Sequence, residues 1–123
     1  MNILDDLEIK EGYAAFRPVR LDSLRETLDV INAALRFCAE HKIKRVMVNA
    51  TALTGIVMPT VTDRYFAVKE FAASADHGTK FVLVIEPALI DPKKFGVTAA
   101  MNQGLDANVF PTESEAIAWL ISG

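Results

Sequence analysis

The sequence predicts an α/β fold, a mixed and mainly parallel sheet of about five strands with an N-terminal hairpin and about four helices. Two short strand-like segments meet at a glycine-containing turn, and apolar runs then alternate with segments of helical period. Strands that alternate with single helices pair in parallel through right-handed crossovers. The predicted order is therefore ββαβαβαβα, in a single domain that spans residues 1–123.

The N-terminal hairpin is predicted from two segments, Leu7–Lys10 and Tyr13–Arg17, on either side of Glu11-Gly12. Glycine tolerates the positive φ of a tight hairpin turn, so the turn falls on this pair.

The first helix is predicted for residues 21–41, because apolar side chains recur there at helical spacing and form one stripe. The members of this stripe are Leu24, Leu28, Ile31, Leu35 and Cys38. Ser23 and Glu26 have the spacing of a capping box, which places the helix start near Ser23.

Two continuously apolar segments, 44–49 and 79–85, predict strands that are buried on both faces. The helix between them begins near Pro59, and its apolar stripe consists of Val61, Tyr65, Val68 and Ala72. We expect Tyr65 to pack in the core. We expect the helix to end near His77-Gly78, where glycine can take the left-handed C′ position.

The last third of the chain predicts a helix, a short strand and a final helix. Asp91-Pro92 is a strong helix start, and the helix should run to about Gln103 and stop at Gly104. A short strand follows at residues 108–110. Thr112 and Glu115 form another capping-box pattern ahead of the apolar residues of the final helix.

Charge and composition argue against several classes of function. The chain has 13 basic and 16 acidic side chains, a formal net charge of −3, and no basic stripe of the kind that binds nucleic acid. No apolar run approaches the roughly 20 residues of a membrane span. The segment MNILDDLEIK lacks the basic and apolar regions of a signal peptide. We therefore expect a cytoplasmic protein with no nucleic-acid partner and no membrane span.

The candidate binding site lies where strand 44–49 enters a loop of small polar residues that leads into a helix. Strand ends and helix N–H groups converge at such junctions, which is where α/β proteins place ligands. The candidate residues are Asn49, Thr51, Thr54, Gly55 and Thr60. The hydroxyls could bind an anion, or they could satisfy turn and cap hydrogen bonds, as the capping-box spacing of Thr60 and Asp63 favours.

Arg64 and Lys94 complete the candidate site. Arg64 lies one turn into the helix and either reaches a ligand at the strand ends or is solvated. Lys93 and Lys94 occupy the first turn of the third helix, next to the positive end of its dipole, where cations are unfavourable. An anionic partner would explain that placement, although surface lysines also occur without one.

No constellation of residues specifies a reaction, and we expect neither a metal nor a cofactor. His41 and His77 lie near helix C-termini and have no second ligand at metal-site spacing. Cys38 is the only cysteine, so it cannot form an internal disulfide. Its place on the apolar stripe predicts a core residue and not a reactive thiol.

Three pieces of the chain carry a resemblance to a known family: VNATALTG after the central strand, the helix DPKKFGVTAAMNQGL, and a final helix containing AIAWL. They resemble a bacterial branch of STAS-like proteins. The whole layout resembles the STAS-like fold of the anti-sigma-factor antagonists, whose small sheet carries successive β-α turns. Lipid-binding CRAL-TRIO domains share this fold in broad outline. The resemblance implies a STAS-like β-α superhelix over most of the chain.

In the signalling members of that family, a strand ends in an Asp-containing turn. A partner kinase phosphorylates a serine or threonine at the N-terminus of the next helix. In this sequence the turn position falls on Asn49, and the phosphorylated position falls at or beside Pro59, with Thr60 the nearest hydroxyl. The resemblance therefore implies the fold and not the kinase switch.

The leading functional hypothesis is a non-enzymatic STAS-like regulatory or binding module. It would engage a protein partner or a small ligand at the carboxyl-terminal edge of the sheet, formed by residues 49–60, 86–94 and 110–113. The second hypothesis is a carrier of lipid or another apolar ligand. It is suggested by the apolar helix residues Phe66, Phe71, Phe95 and Met101.

The third hypothesis is a small hydrolase or transferase that uses the threonine loop with Asp63 or Asp91. Asp63, Glu86 and Asp91 could meet at one sheet edge and supply acid–base chemistry, but Glu86 and Asp91 also have ready roles as loop and cap residues. A homodimer is a separate expectation. If the helices mostly cover one face of the sheet, a symmetric dimer would shield the other.

Overall fold

The computed structural model describes residues 6–19, 23–53, 60–76, 78–90 and 95–122. Five strands form one sheet in the order β1-β2-β3-β4-β5, which are Leu7–Lys10, Tyr13–Phe16, Arg45–Asn49, Lys80–Val84 and Asp106–Phe110. Strand β1 pairs antiparallel with β2, and the remaining pairs are parallel. The predicted α/β class, with a mixed sheet and an N-terminal hairpin, is confirmed.

Within the described ranges, four α-helices connect or follow the strands: α1 (Leu24–Glu40), α2 (Val61–Ser74), α3 (Phe95–Asn102) and α4 (Glu113–Ile121). A short 3₁₀ helix at Pro87–Leu89 follows β4, where the sequence predicts only a loop. Strand β5 begins at Asp106, two residues before the predicted start. The first four residues of the third predicted helix, including Asp91, lie outside the described residues.

The helices cover both faces of the sheet. Helices α1, α2 and α3 lie on one face, and α4 packs on the other face against β3, β4 and β5. The core on the three-helix face includes Phe16, Leu35, Val46, Phe71 and Phe81. The smaller core beneath α4 includes Ala15, Met47, Val82, Val84 and Leu120. This arrangement explains the apolar run of β3, because its consecutive side chains are buried alternately in the two cores.

The helix starts follow from local capping. The Ser23 hydroxyl accepts a hydrogen bond from the Glu26 N–H at 3.1 Å. Thr60 and Asp63 form a reciprocal capping box, in which each side chain accepts from the other residue's backbone N–H at 3.0 Å. The Thr112 hydroxyl accepts from the N–H of Glu115. These three predicted starts are confirmed, because each depends only on residues three apart in the chain.

Two helices end in the hydrogen-bond pattern of a Schellman motif. After α1, Lys42 adopts a φ of 58°, and the Ile43 N–H donates to the Cys38 carbonyl. After α3, Gly104 has a φ of 84°, and the Leu105 N–H donates to the Ala100 carbonyl. The predicted stop at Gly104 is therefore confirmed, since glycine takes the left-handed conformation without steric cost.

The prediction for the end of α2 is wrong. The helix ends at Ser74, and Ala75 is already extended with a ψ of 153°. Gly78 does have a positive φ, of 83°, but it lies in the turn that leads into β4, where the Thr79 N–H donates to the Asp76 carbonyl. His77 lies outside the described residues.

Tyr65 is not a core residue, which corrects the sequence prediction. Its side chain is 40% exposed, lies edge-on to Phe66 and has the Lys69 ammonium 5.6 Å from its ring centroid. The side of α2 that faces the sheet instead carries Ala67, Val68 and the buried Phe71. Val68 and Ala72 of the predicted stripe do pack against the core, and Tyr65 lies on the flank of the helix.

Helix α4 is held at its C-terminal end by a lysine from the sheet. The Lys80 ammonium donates to the Trp119 carbonyl at 2.6 Å and lies 4.4 Å from the centroid of the Trp119 ring. A cation is favourable at this end of a helix, where backbone carbonyls lack partners within the helix. The contact fixes the end of α4 against the first residue of β4.

A polar network joins α1 to α2. Asn32 is only 3% exposed; its Oδ1 accepts from the Ser74 hydroxyl at 3.0 Å, and its Nδ2 donates to Glu70 at 2.9 Å. Arg25 donates to both carboxylate oxygens of Glu70 and also pairs with Asp29. The hydrogen bond from Arg25 is the main reason that the pKa of Glu70 lies below its usual value. These contacts satisfy the buried amide of Asn32 on both sides.

We predict that Ser74→Ala destabilises the protein by about 1–2 kcal/mol, because it leaves the buried Oδ1 of Asn32 without that donor. In the double variant Asn32→Leu, Ser74→Ala, both buried partners are removed together. Its loss of stability should be well below the sum of the two single losses. Urea unfolding of the four proteins measures this coupling, and strictly additive losses would contradict it.

Candidate functional site

The residues proposed from sequence fall into two groups at the carboxyl edge of the sheet. Asn49 and Thr51 contact each other: the Asn49 Oδ1 accepts from the backbone N–H and the hydroxyl of Thr51, at 2.9 and 2.7 Å. Thr60 is the N-cap of α2 and Arg64 lies in the first turn of that helix, on the three-helix face.

The remaining candidates, Thr54, Gly55 and Lys94, lie outside the described residues.

The side chain of Asn49 belongs to a cluster with Arg17 and Glu113. The Asn49 Nδ2 donates to Glu113 Oε2 at 2.5 Å. Arg17 approaches the same carboxylate in a bidentate manner, with Nε 2.8 Å from Oε2 and Nη2 2.9 Å from Oε1. The cluster thus connects the ends of β2 and β3 to the first turn of α4. Its role is structural, because the amide of Asn49 and the carboxylate of Glu113 are bonded within the chain.

The electrostatics of the cluster agree with that role. The hydrogen bond from Arg17 is the main reason that the pKa of Glu113 lies below its usual value, and the bond from Asn49 adds to it. The pKa of Arg17 is correspondingly raised by the hydrogen bond to Glu113. A carboxylate held ionised in this way is a poor general acid at neutral pH.

Sequence reasoning missed Arg17 as a member of this edge, and it included Glu113 only as the last residue of the range 110–113, without a role. Arg17 immediately follows β2, and Glu113 is the first residue of α4. Their positions after strands gave a usable signal, because the carboxyl ends of parallel strands meet at one edge. The pairing itself joins residues 96 positions apart and needs the topology.

Thr60 and Asp63 serve as a helix cap. The Thr60 hydroxyl and one Asp63 carboxylate oxygen each accept a backbone N–H of the other residue. This geometry confirms that the pair forms a capping box, as its spacing indicates. It also gives Asp63 a structural hydrogen bond.

A cavity of about 530 Å³ lies between the three-helix face and the sheet. Its apolar walls include Ile31, Phe71, Phe81, Ala100 and Leu105. Alanines from several elements also line it, namely Ala50, Ala67, Ala88, Ala100 and Ala107. Their short side chains leave space that larger residues would fill.

Few of the described residues that line the cavity are polar. Asp63, Arg64, Glu86 and Asn108 contribute to it, and the first three follow or adjoin the carboxyl ends of strands. Thr27 also lines it, but the Thr27 hydroxyl donates to the Ser23 carbonyl at 2.9 Å and is therefore engaged within α1. The described part of the cavity thus combines apolar walls with a small set of charged and amide groups, which we call the polar group of the cavity.

Two of the residues that suggested an apolar carrier lie elsewhere, which is a correction. Phe66 is 56% exposed and Met101 is 66% exposed, and neither lines the cavity. Phe71 does line it. The side chain of Phe95 lies outside the described part of the chain. Both exposed residues lie on helix faces turned from the sheet, so an apolar residue in a helix does not by itself indicate a cavity.

Cys38 is a core residue, as predicted. It is 1% exposed, and burial raises the pKa of its thiol to about 11. His41 is the C-cap residue of α1 and stacks on Phe37 with the ring centroids 4.2 Å apart. Among the described residues, no group of three or more His, Cys, Asp and Glu side chains is placed to hold a metal ion.

No protein-family model, curated protein or solved structure matches this chain. Among the described residues, none of the helices combines the length and the apolar character needed to span a membrane.

We predict that Glu113→Gln destabilises the protein by about 1 kcal/mol, because the amide replaces a charged acceptor with a group that carries donors of its own. The partial exposure of Arg17 and Glu113 limits the loss. Glu115→Gln is the matched control. It removes a carboxylate from the same helical turn, and a glutamine oxygen can still accept from the Thr112 hydroxyl. The control should change stability by less than about 0.5 kcal/mol.

The effect of Glu113→Gln should also depend on pH. The folded pKa of Glu113 lies below its usual value of 4.5, so ionised Glu113 stabilises the protein above that value. This contribution is lost as the pH falls through the lower folded pKa. Urea unfolding across this range should therefore show the wild-type advantage shrink in acid. An advantage that stays constant would rule out the ion pair as its source.

Proposed function

We propose that this chain is a non-enzymatic, STAS-like binding module that takes a small, mainly apolar ligand into the cavity beneath α1, α2 and α3. The cavity carries the proposal: its volume of about 530 Å³ falls within the range of about 300–1,000 Å³ that is usual for small-molecule sites. Its apolar walls and its few polar residues also have the composition typical of such sites.

A small ligand in the cavity is favoured over a partner that recognises the threonine loop. Asn49 donates to Glu113 and accepts from the Thr51 hydroxyl, and Thr60 caps α2. Groups that are engaged within the chain contribute less to recognition, because binding would first have to break their hydrogen bonds.

The hydrolase or transferase hypothesis receives less support. Acid–base catalysis is favoured by paired groups in one cleft whose environments push their pKa values apart. Among the described residues of the cavity, Asp63 and Glu86 are the carboxylates, and Asp63 already accepts the Thr60 N–H. Asp91, the other proposed acid, lies outside the described residues.

The STAS-like relationship is part of the proposal. It is supported by the sequential order of β2, β3, β4 and β5, with one α-helix in each crossover. Such an order gives a right-handed β-α superhelix, the layout that the resemblance implies. The bacterial branch and the cytoplasmic location belong to the same proposal.

We predict that Ala67→Phe abolishes binding of an apolar fluorescent probe, N-phenylnaphthylamine, because the ring would fill the cavity that Ala67 lines. Ala73→Phe is the matched control, since Ala73 belongs to the same helix but is exposed and does not line the cavity. The control should bind the probe as the wild type does. Fluorescence titration measures both, and circular dichroism checks that the variants fold.

Equal binding by the two variants would place the probe outside the cavity and overturn the proposal. Native mass spectrometry of freshly purified protein gives an independent test. We expect a co-purifying small molecule bound to the wild type and none bound to Ala67→Phe.

The homodimer stays a prediction with a weaker basis than the sequence suggested. Helix α4 already covers much of the face that a partner was expected to shield. The edge strand β1 is mostly exposed and carries Glu8 and Lys10, charges that disfavour edge-to-edge pairing. Sedimentation at micromolar concentration tests the oligomeric state.

A further inference from the structure

We propose that the ligand of the cavity is a single-chain amphiphile with an uncharged polar head, whose chain packs against the apolar walls while its head contacts Arg64 and Glu86. This inference rests on the proposed function and names the chemical class of the ligand. It depends on two properties of the site: the apolar character of its walls and the charge of its polar group.

The walls favour an unbranched or lightly branched apolar chain. The residues furthest from the carboxyl edge, such as Phe71, Phe81 and Leu105, offer no side-chain hydrogen-bonding atoms. The Thr27 hydroxyl already donates to the Ser23 carbonyl. A polar atom placed against these walls would lose its hydrogen bonds to water without replacement, which costs about 1–3 kcal/mol in proteins.

The described polar group of the cavity is close to electrically balanced. Arg64 and Glu86 carry opposite charges. The carboxylate of Asp63 accepts an N–H at the start of α2, where the helix dipole offsets negative charge. Among the described residues, a charged head would therefore meet little net opposite charge to compensate for its loss of water.

An uncharged hydroxyl suits this group better. It can donate to the carboxylate of Glu86 and accept from the guanidinium of Arg64. Both are charged partners, and hydrogen bonds with one charged partner are stronger than those between neutral groups. An alcohol head can thus exchange its water for these contacts without introducing a charge.

The test compares three ligands with the same chain: decanol, decanoate and decylammonium. Each displaces N-phenylnaphthylamine from the wild-type protein at neutral pH, and the displacement is followed by fluorescence. We expect decanol to bind on the order of tenfold more tightly than either ion. In the series hexanol, heptanol, octanol and nonanol, each methylene should tighten binding roughly fourfold until the cavity is filled.

Two variants connect the selectivity to the named residues. Glu86→Gln removes one negative charge, so decanoate should gain affinity relative to decanol. Arg64→Gln removes the positive charge, so decylammonium should gain relative to decanol. The ratios of affinities within each variant are the readout, and a general loss of stability would leave these ratios unchanged.

The possible failures are distinguishable. If decanoate or decylammonium binds the wild type as tightly as decanol, or if neither variant shifts the ratios, the head assignment is overturned while the cavity remains a binding site. If N-phenylnaphthylamine does not bind, or if Ala67→Phe binds it as the wild type does, both the proposed function and this inference fail.

Discussion

Right-handed crossovers place α1, α2 and α3 on the same face of the sheet, because β2 to β5 follow one another in sequential order. A helix cannot cross from one parallel strand to the next on the other face without reversing the handedness. The opposite face would therefore be open to solvent if the chain ended at β5. Helix α4 turns back beneath β3, β4 and β5 and buries Met47, Val82 and Val84. The two apolar cores follow from this constraint.

The two faces are packed differently. Under α4, one short helix supplies Ala116 and Leu120, and the cluster of Arg17, Asn49 and Glu113 ties its first turn to the sheet. On the other face, three helices lie over the same strands, but the residues between them include many alanines. Short side chains let helices approach a sheet without filling the space between them. These alanines form part of the wall of the cavity.

Features that depend on neighbouring residues were predictable from the sequence. The caps at Ser23, Thr60 and Thr112 and the left-handed stop at Gly104 involve atoms only a few residues apart, so residue types alone specify them. The strand at β3 was predictable because burial on both faces requires a continuous apolar run.

Features that depend on tertiary geometry were not predictable. The exposure of Tyr65 depends on how α2 is rotated on the sheet, and its apolar stripe fits more than one rotation. Arg17 and Glu113 are brought together by the whole sheet. Nothing in the sequence distinguishes the alanines that line the cavity from other alanines. Only the tertiary structure shows that they line the same cavity. The candidate residues Asn49, Thr51 and Thr60 lie at the predicted edge, but their hydrogen bonds are structural.

The contact between Lys80 and Trp119 gives the molecule a built-in optical probe. Trp119 is the only tryptophan in the chain, and the Lys80 ammonium lies 4.4 Å from its ring centroid. Its emission therefore reports on the seating of α4, on the side of the sheet away from the cavity. A spectroscopist can follow detachment of the terminal helix through this indole and occupancy of the cavity through an added dye, as two separate signals from one unlabelled sample.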